Sequence, residues 1–438
     1  MKMKKKKKKK LSILLSAIML ISLILSGCSG QNSSGSAADS NGKVTLKFWS
    51  FWGSETRRPV IEKMIDDYNK SQDKVVVKHT FVPWGDIWTK NLAAVAAGNP
   101  ADVVVTDIND VSHRAKNNQS TDLSKYFDDN MKDRFYPHLW DTVLYDGKPY
   151  AAPFNTDTRL LYYNKKAFKE AGLDPNKPPQ TWKELEEYAK KLDVKKGSSY
   201  ERIGFYPLWG GYGAPSWMRN ADEGKNFFDG DKLSINTPAK AEALTWLADW
   251  KKRYGKKTIE KWDAEFANGQ TNPFVAEKVA MYTDTGTFYT QIRDSGKELD
   301  FGVAPIPAYK EGARNWSDGG GFVLEVPKGS KHPKEAAEFI KYLTDVKAQK
   351  YWAVKNYDNV ANKEAAESVA EGMKGQEKMV YSESLKNLKD TQLAPIPINY
   401  PDFMSRINPQ IDAVMLGKSD AKAALKKAEA DVKKIKRK

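Results

Sequence analysis

Between Lys43 and Asp107 the hydrophobic period of the chain switches repeatedly, and this alternation constrains the fold more than any other feature. "VTLKFWSF" (44–51) alternates apolar and polar side chains, as a half-buried strand does. "RRPVIEKMIDDYNK" (57–70) places Val60, Ile61, Met64, Ile65 and Tyr68 on one helical face. "KVVVKHTFV" (74–82) reads as a strand, "IWTKNLAAVAAG" (87–98) as a helix ending at Gly98, and "DVVVTD" (102–107) as a strand again. Strand, helix, strand, helix, strand describes parallel βαβ units whose sheet faces are covered, so the fold class is α/β. "TWKELEEYAKKL" (181–192), "PAKAEALTWLADWKKRYG" (238–255) and "PKEAAEFIKYLTDV" (333–346) are further amphipathic helices, each starting at or after Thr or Pro. The sequence shows no internal repeat.

The ends of the chain read differently. Eight lysines among residues 2–10 precede an apolar stretch, Leu11 to Leu25, too short to span a membrane and of signal-peptide length. The sole cysteine, Cys28, follows Leu25-Ser26-Gly27, and this resembles the bacterial lipobox. The resemblance implies a signal peptide over 1–27, lipidation of Cys28, and a protein held at the extracytoplasmic face of the cell membrane. A single cysteine excludes an intramolecular disulfide. Residues 28–43 then form a Gly/Ser/Asn-rich flexible tether. Eight of the 71 basic residues leave with the signal, so 63 remain against 56 acidic ones, a net +7. That mild excess gives no reason to expect nucleic acid as a partner. The remaining body, about 395 residues, exceeds what one hydrophobic core usually serves, and two domains are expected.

In open α/β sheets, ligands sit beyond the carboxyl ends of the strands. That rule selects Trp49, Trp52 and Glu55 after the first strand, Trp84 after the second and Asp107 after the third. Trp beside Asp or Glu recurs at these ends. Farther on, "PFNTDTRLLYYNKKAF" (153–168) joins a polar run containing Asp157 and Arg159 to a buried-strand pattern. A turn alone does not require an Asp and an Arg together. The chain also holds 13 Trp, 20 Tyr and 17 Phe, several of them in Gly/Pro-rich loops: Trp209, Tyr212 and Trp217 in "YPLWGGYGAPSW", and Trp316 in "ARNWSDGGGF". Flat rings cover the apolar faces of a sugar while charged neighbours pair with its hydroxyls, so a carbohydrate site is expected.

Catalytic signatures are scarce. The four histidines, His79, His113, His138 and His332, have no metal-ligand spacing, and no HExxH, CxxC or GxSxG occurs. "WGGYG" (209–213) lacks the dinucleotide fingerprint. No metal or cofactor is expected. Carboxylate pairs able to hydrolyse a glycoside remain compatible with the sequence, because their separations depend on the fold.

In order, these segments resemble the extracellular solute-binding proteins of ABC importers, in the sugar-binding family that includes maltose-binding protein. "LAAVAAGNPADVVVTD" (92–107) is similar to the family's helix, Gly-x-x-Pro-Asp turn and third strand, with Ala101 in place of a second proline. "YDGKPYAAPFNTDTRLLYYNKKAFKEAGLD" (145–174) with "PPQTWKELEEYAKKL" (178–192) is the most specific match. "KVAMYTDTGTFY" (278–289) resembles the segment where a strand delivers an Asp or Asn and an aromatic to the ligand, and singles out Asp284. Ala276-Glu277 stands where the family usually has Gly. "FGVAPIPAYKEGARNWSDGGGFVLEVPKGSKHPKEAAEFIKYLT" (301–344) resembles an interlobe crossing and the return helix.

The resemblance implies a two-lobe, type II periplasmic-binding-protein fold with three hinge crossings and an interlobe ligand cleft. One lobe would comprise 44–154 and 303–331, the other 155–302 and 332–438. Asp157 would project toward the ligand with Arg159 beside it, Trp209 and Tyr212 would be sugar platforms, and Trp316 would come from the opposite lobe. Asp318 and Gly320 complete the set, the glycines there letting backbone N–H groups approach the ligand. The function implied is capture of a sugar, most simply an oligosaccharide, by a monomer that closes on it and docks on transmembrane permease subunits. A polyamine, a glycerol phosphate derivative or a metal chelate is an alternative ligand, although Arg159 and Arg219 among the acids suit a neutral polyol better than a cation. The alternative of another class is a surface polysaccharide lyase or hydrolase.

Overall fold

The computed structural model describes residues 42–266, 271–296 and 298–437. Cys28, the export signal 1–27 and tether residues 28–41 lie outside the described residues.

The opening alternation forms as expected: strand β1 (Val44–Ser50), helix α1 (Arg57–Ser71), β2 (Val75–Phe81), α2 (Ile87–Ala96) and β3 (Val103–Asp107). Val60, Ile61, Met64, Ile65 and Tyr68 are the buried face of α1. Strands β4 (Ala151–Thr156), β8 (Gly321–Glu325) and β9 (Asn359–Val360) complete a six-stranded sheet in the order β9-β4-β8-β3-β1-β2. In it β1 and β3 run parallel, while β8 is antiparallel to both β3 and β4.

A second sheet is built on β5 (Arg159–Asn164), flanked by β6 (Met281–Thr285) and β7 (Phe301–Pro305). Both flanking strands are antiparallel to it. The parallel arrangement inferred from the first third of the chain therefore holds for β1 and β3 and gives way to antiparallel pairing at β8, β4 and β9 and throughout the second sheet. Helices α3 (Trp182–Leu192), α4 (Ala214–Ala221), α5 (Pro238–Tyr254) and α6 (Lys256–Phe266) belong to this lobe. Thr181 and Thr237 cap α3 and α5 by accepting backbone N–H groups, as their positions before each helix suggest. Trp182, Trp217, Trp246 and Trp250 pack together between these helices.

The lobe boundaries differ from the expected ones. β4 stays in the first sheet through Thr156, and β7 keeps residues 301–305 in the second. The return segment divides as well. Helices α7 (Pro333–Leu343) and α8 (Val346–Asn356) pack on the first lobe, where Phe339 meets Phe48 at 5.5 Å and Trp352 meets Trp52 at 4.6 Å between ring centroids. β9 joins the first sheet. Assigning 332–438 wholly to the second lobe is thus incorrect, because Phe339 of α7 and Trp352 of α8 pack into the core of the first lobe. Helices Met404–Met415 and Ala421–Lys433 pack on α5.

Where the chain passes between sheets, three segments lie side by side. Thr158 Oγ1 bonds Ser317 Oγ at 3.0 Å and Thr391 Oγ1 at 2.6 Å, and Asn387 Nδ2 donates to Thr158 Oγ1 at 2.8 Å. Ser317–Asp318 pairs in parallel with Thr391–Gln392.

Candidate functional site

Two ligand-sized spaces and one exposed aromatic group mark the candidate site. On the second lobe a cavity of about 470 Å³ is lined by Trp209, Gly210, Gly211, Trp262, Tyr282 and Asp284, among others. Trp209 and Trp262 lie nearly parallel, 10° between planes and 5.6 Å between centroids. The Trp209 Nε1–H donates to Asp263 Oδ1 at 2.7 Å, which fixes the ring in its plane. Gly210 has φ +94°, and a Cβ there would lie 2.0 Å from the Thr283 carbonyl oxygen. Only glycine lets the loop press onto β6 in this way.

On the first lobe the strand ends carry an aromatic group. Trp84, 57% exposed, meets Phe51 and Trp88 edge-on at 4.6 Å and Phe322 at 5.3 Å. Trp49 is half-buried against Val82, Ile87 and Val104. Glu55 is exposed in the turn before α1. A second space, about 210 Å³, lies between the lobes, with Thr56, Arg57 and Asn356 on one side and Asp284, Thr285 and Thr287 on the other.

Asp284 joins these spaces, lining both the aromatic cavity and the interlobe one. Burial pushes its carboxyl up to about 6, although the Thr285 N–H and Arg159 act in the opposite direction. It was singled out by the resemblance, and the structure puts it at the junction.

The polar run 155–159 serves mainly to fasten the crossings. Asp157 accepts the Gly320 N–H at 2.7 Å and is paired with Arg159. Arg159 also donates to the Asp318 carbonyl at 3.2 Å and, through Nε, to the Gly211 carbonyl at 3.1 Å. Burial opposes its charge, but Asp157, Asp318 and Asp284 more than offset that and raise its pKa. One guanidinium thus ties the first crossing, the second crossing and the lip of the aromatic cavity together.

Several expected ligand contacts are packing instead. Trp52 is 1% exposed, in the first-lobe core against Phe154 and Trp352. Tyr212 is also 1% exposed; its hydroxyl donates to the Trp316 carbonyl at 3.1 Å and its ring meets Trp217. Trp316 does not come from the opposite lobe. It lies on Gly224, beside α4, with the Arg314 guanidinium 4.4 Å over its ring. Asp318 is held by Ser216 at 2.7 Å and Arg219 at 2.6 Å. Asp107 caps the turn after β3 by accepting the Asn109 N–H at 2.8 Å, and burial raises its pKa. The Gly320 N–H is spent on Asp157 rather than left for a ligand. The neighbouring glycines are required by close crossings: a Cβ at Gly319 would lie 2.4 Å from Thr391 Cγ2. Sequence reasoning missed Trp262, Tyr282 and Arg57. Trp262 sits on an amphipathic helix and reads as core, but Arg57, just past the β1 end, was within reach of the strand-end rule.

Residues 52–350 match the family described as bacterial extracellular solute-binding protein. The chain belongs to this family. Among its relatives is the sn-glycerol-3-phosphate-binding periplasmic protein UgpB of Brucella abortus, 32% identical over 310 residues, which cover 65% of this chain and 66% of that protein. UgpB of Rhizobium meliloti is 28% identical over 302 residues, covering 65% of this chain and 67% of that protein. Solved structures cover more of the chain. CpMnBP1 with mannotriose bound is 30% identical with a TM-score of 0.77, covering 89% of this chain and 100% of that one. The same protein with mannobiose bound gives 28% and 0.76, with 89% and 100% coverage. The solute-binding protein is therefore of the two-lobe kind used by ABC transporters, an extracytoplasmic class whose named relatives are binding proteins.

Proposed function

We propose that this protein captures a sugar, an oligosaccharide of two or three residues, in the interlobe cleft and delivers it to the transmembrane subunits of an ABC importer. The observation that carries this reading is the aromatic cavity, in which the half-buried Trp209 ring, backed by the buried Trp262, stands beside the carboxylates of Asp263 and Asp284. Rings of this kind cover the CH face of a pyranose, while carboxylates accept its hydroxyl protons. The volume, about 470 Å³, is of the size that holds a small ligand. The structural relative with mannobiose and mannotriose bound supports manno-oligosaccharides as the first candidates.

The mechanism is closure. Trp84 and its aromatic neighbours approach the sugar from the first lobe, Trp209 and Asp284 from the second, and the differential contacts of the ligand stabilise the closed form. Rotation takes place at the side-by-side segments around Thr158, with Arg159 linking the cavity lip to them. The closed monomer docks on the permease, and its lipid anchor at Cys28 keeps it at the extracytoplasmic membrane surface. No bond of the sugar is broken and no cofactor takes part. A thermal-shift screen tests the reading, since a ligand that binds the folded state raises the melting temperature. Mannobiose or mannotriose should raise it in a saturable way. Stabilisation by sn-glycerol 3-phosphate with no response to any sugar would overturn it.

A further inference from the structure

The interlobe space differs in chemistry from the aromatic cavity it adjoins. Arg57 and Lys355 line it from the first lobe and Arg293 from the second, together with Thr285 and Thr287, whose hydroxyls bond one another at 2.8 Å. Asp284 is its one lining carboxylate, and it is shared with the aromatic cavity. The geometry points to a subsite for an anionic group, a carboxylate or a phosphate, carried by the same ligand whose sugar ring occupies the aromatic cavity. This rests on the sugar-binding reading above and narrows its substrate class.

The partners of the three cations support it. Arg57 lies 3.7 Å from Asp358 Oδ1, a long contact, and Asp358 Oδ2 is already held by Asn155 at 3.1 Å and by Trp352 Nε1 at 2.8 Å. The Arg57 guanidinium thus has N–H groups left for the cavity. Arg293 is gripped by Asp294 at 2.7 and 2.9 Å and sits 5.5 Å over the Tyr357 ring. Neither Asp294 nor Asp358 lines the cavity. Lys355 is exposed and, among the described residues, makes no ion pair. A planar carboxylate or a phosphate matches the Arg57 guanidinium, the Nη1 side of Arg293 that Asp294 leaves over, and the Lys355 ammonium. A hydroxyl would leave most of those donors without an acceptor of comparable strength.

Calorimetric titration with mannobiose, dimannuronate, mannose 6-phosphate and inorganic phosphate tests the inference. We expect dimannuronate or mannose 6-phosphate to bind at least about tenfold more tightly than mannobiose, and which of the two does so identifies the anion. In the Arg57→Gln, Lys355→Gln double variant that preference should fall towards unity, with melts in the absence of ligand confirming that the variant folds. Mannobiose binding as tightly as both charged sugars, or a preference that survives the double substitution, overturns the inference. Inorganic phosphate binding as tightly as mannose 6-phosphate overturns it too, because the anion would then not need the sugar. Failure of every sugar, charged or neutral, would instead overturn the sugar-binding reading itself.

Discussion

Trp209 is the residue on which the sugar-platform reading can be put at most risk. Its ring is half-buried, parallel to Trp262 at 5.6 Å, and oriented by the 2.7 Å bond to Asp263. Trp209→Ala removes the stacking face and leaves Trp262 to move into the space. Truncating an aromatic anchor at a binding hot spot costs about 1–3 kcal/mol, so affinity for mannotriose should fall roughly 5- to 150-fold. The folded state loses one aromatic pair, worth about 0.5–1.5 kcal/mol, and a partly exposed hydrogen bond. The melting temperature should therefore drop by only a few degrees. Trp209→Phe keeps a ring against Trp262 but gives up the bond to Asp263, and should lose less than half as much binding energy. Calorimetry with mannotriose and thermal melts of both variants measure the two effects separately. Wild-type affinity in Trp209→Ala together with a strongly lowered melting temperature would show that the ring plugs its own lobe, and the argument from the cavity would fail.

Other predictions follow from the same geometry. Arg159→Gln should destabilise the fold by about 1–3 kcal/mol, since the partly exposed Asp157 keeps only the Gly320 N–H while the bonds to the Asp318 and Gly211 carbonyls are lost; unchanged urea melts would contradict this. Asp284, pushed up to about 6, binds its proton more tightly when folded than at its ordinary 3.8, so it lowers stability as pH rises through that window. Asp284→Asn should then raise stability near pH 7 by up to about 3 kcal/mol, yet weaken sugar binding, which in the wild type should strengthen as pH rises through about 6; equal affinity at pH 5 and pH 7.5 would count against Asp284 as a carboxylate acceptor. Cys28→Ser should release the protein from membranes, and undiminished sedimentation with the membrane fraction would refute the anchor.

Much of the fold was legible because hydrophobic period is a local signal. The five elements from β1 to β3 and the helices at 182–192, 238–254 and 333–343 appear where their apolar spacing and Thr or Pro starts put them. The allegiance of α7 and α8 was not legible. An amphipathic face states that a helix is buried, not which sheet buries it, and Phe339 and Trp352 pair with Phe48 and Trp52 across some three hundred residues of chain. The same limit governed the site. Trp at a strand end looks alike in sequence whether it turns outward, as Trp84 does, or inward, as Trp52 does. Tyr212 and Trp209 are three residues apart in one loop, yet one is core and the other lines the cavity, because the Gly210–Gly211 turn reverses the chain against Thr283. Asp157 and Arg159 were recognisable as more than a turn. That they satisfy one another and the glycines of a second crossing depends on Gly320, 163 positions from Asp157.

Small-angle X-ray scattering of the purified protein with and without saturating mannotriose tests the central claim, capture of a sugar between two lobes that close on it. The account predicts a smaller radius of gyration with ligand, the contraction following occupancy as the sugar is titrated. Saturable binding with an unchanged scattering profile would place the ligand in a preformed pocket of one lobe and contradict it.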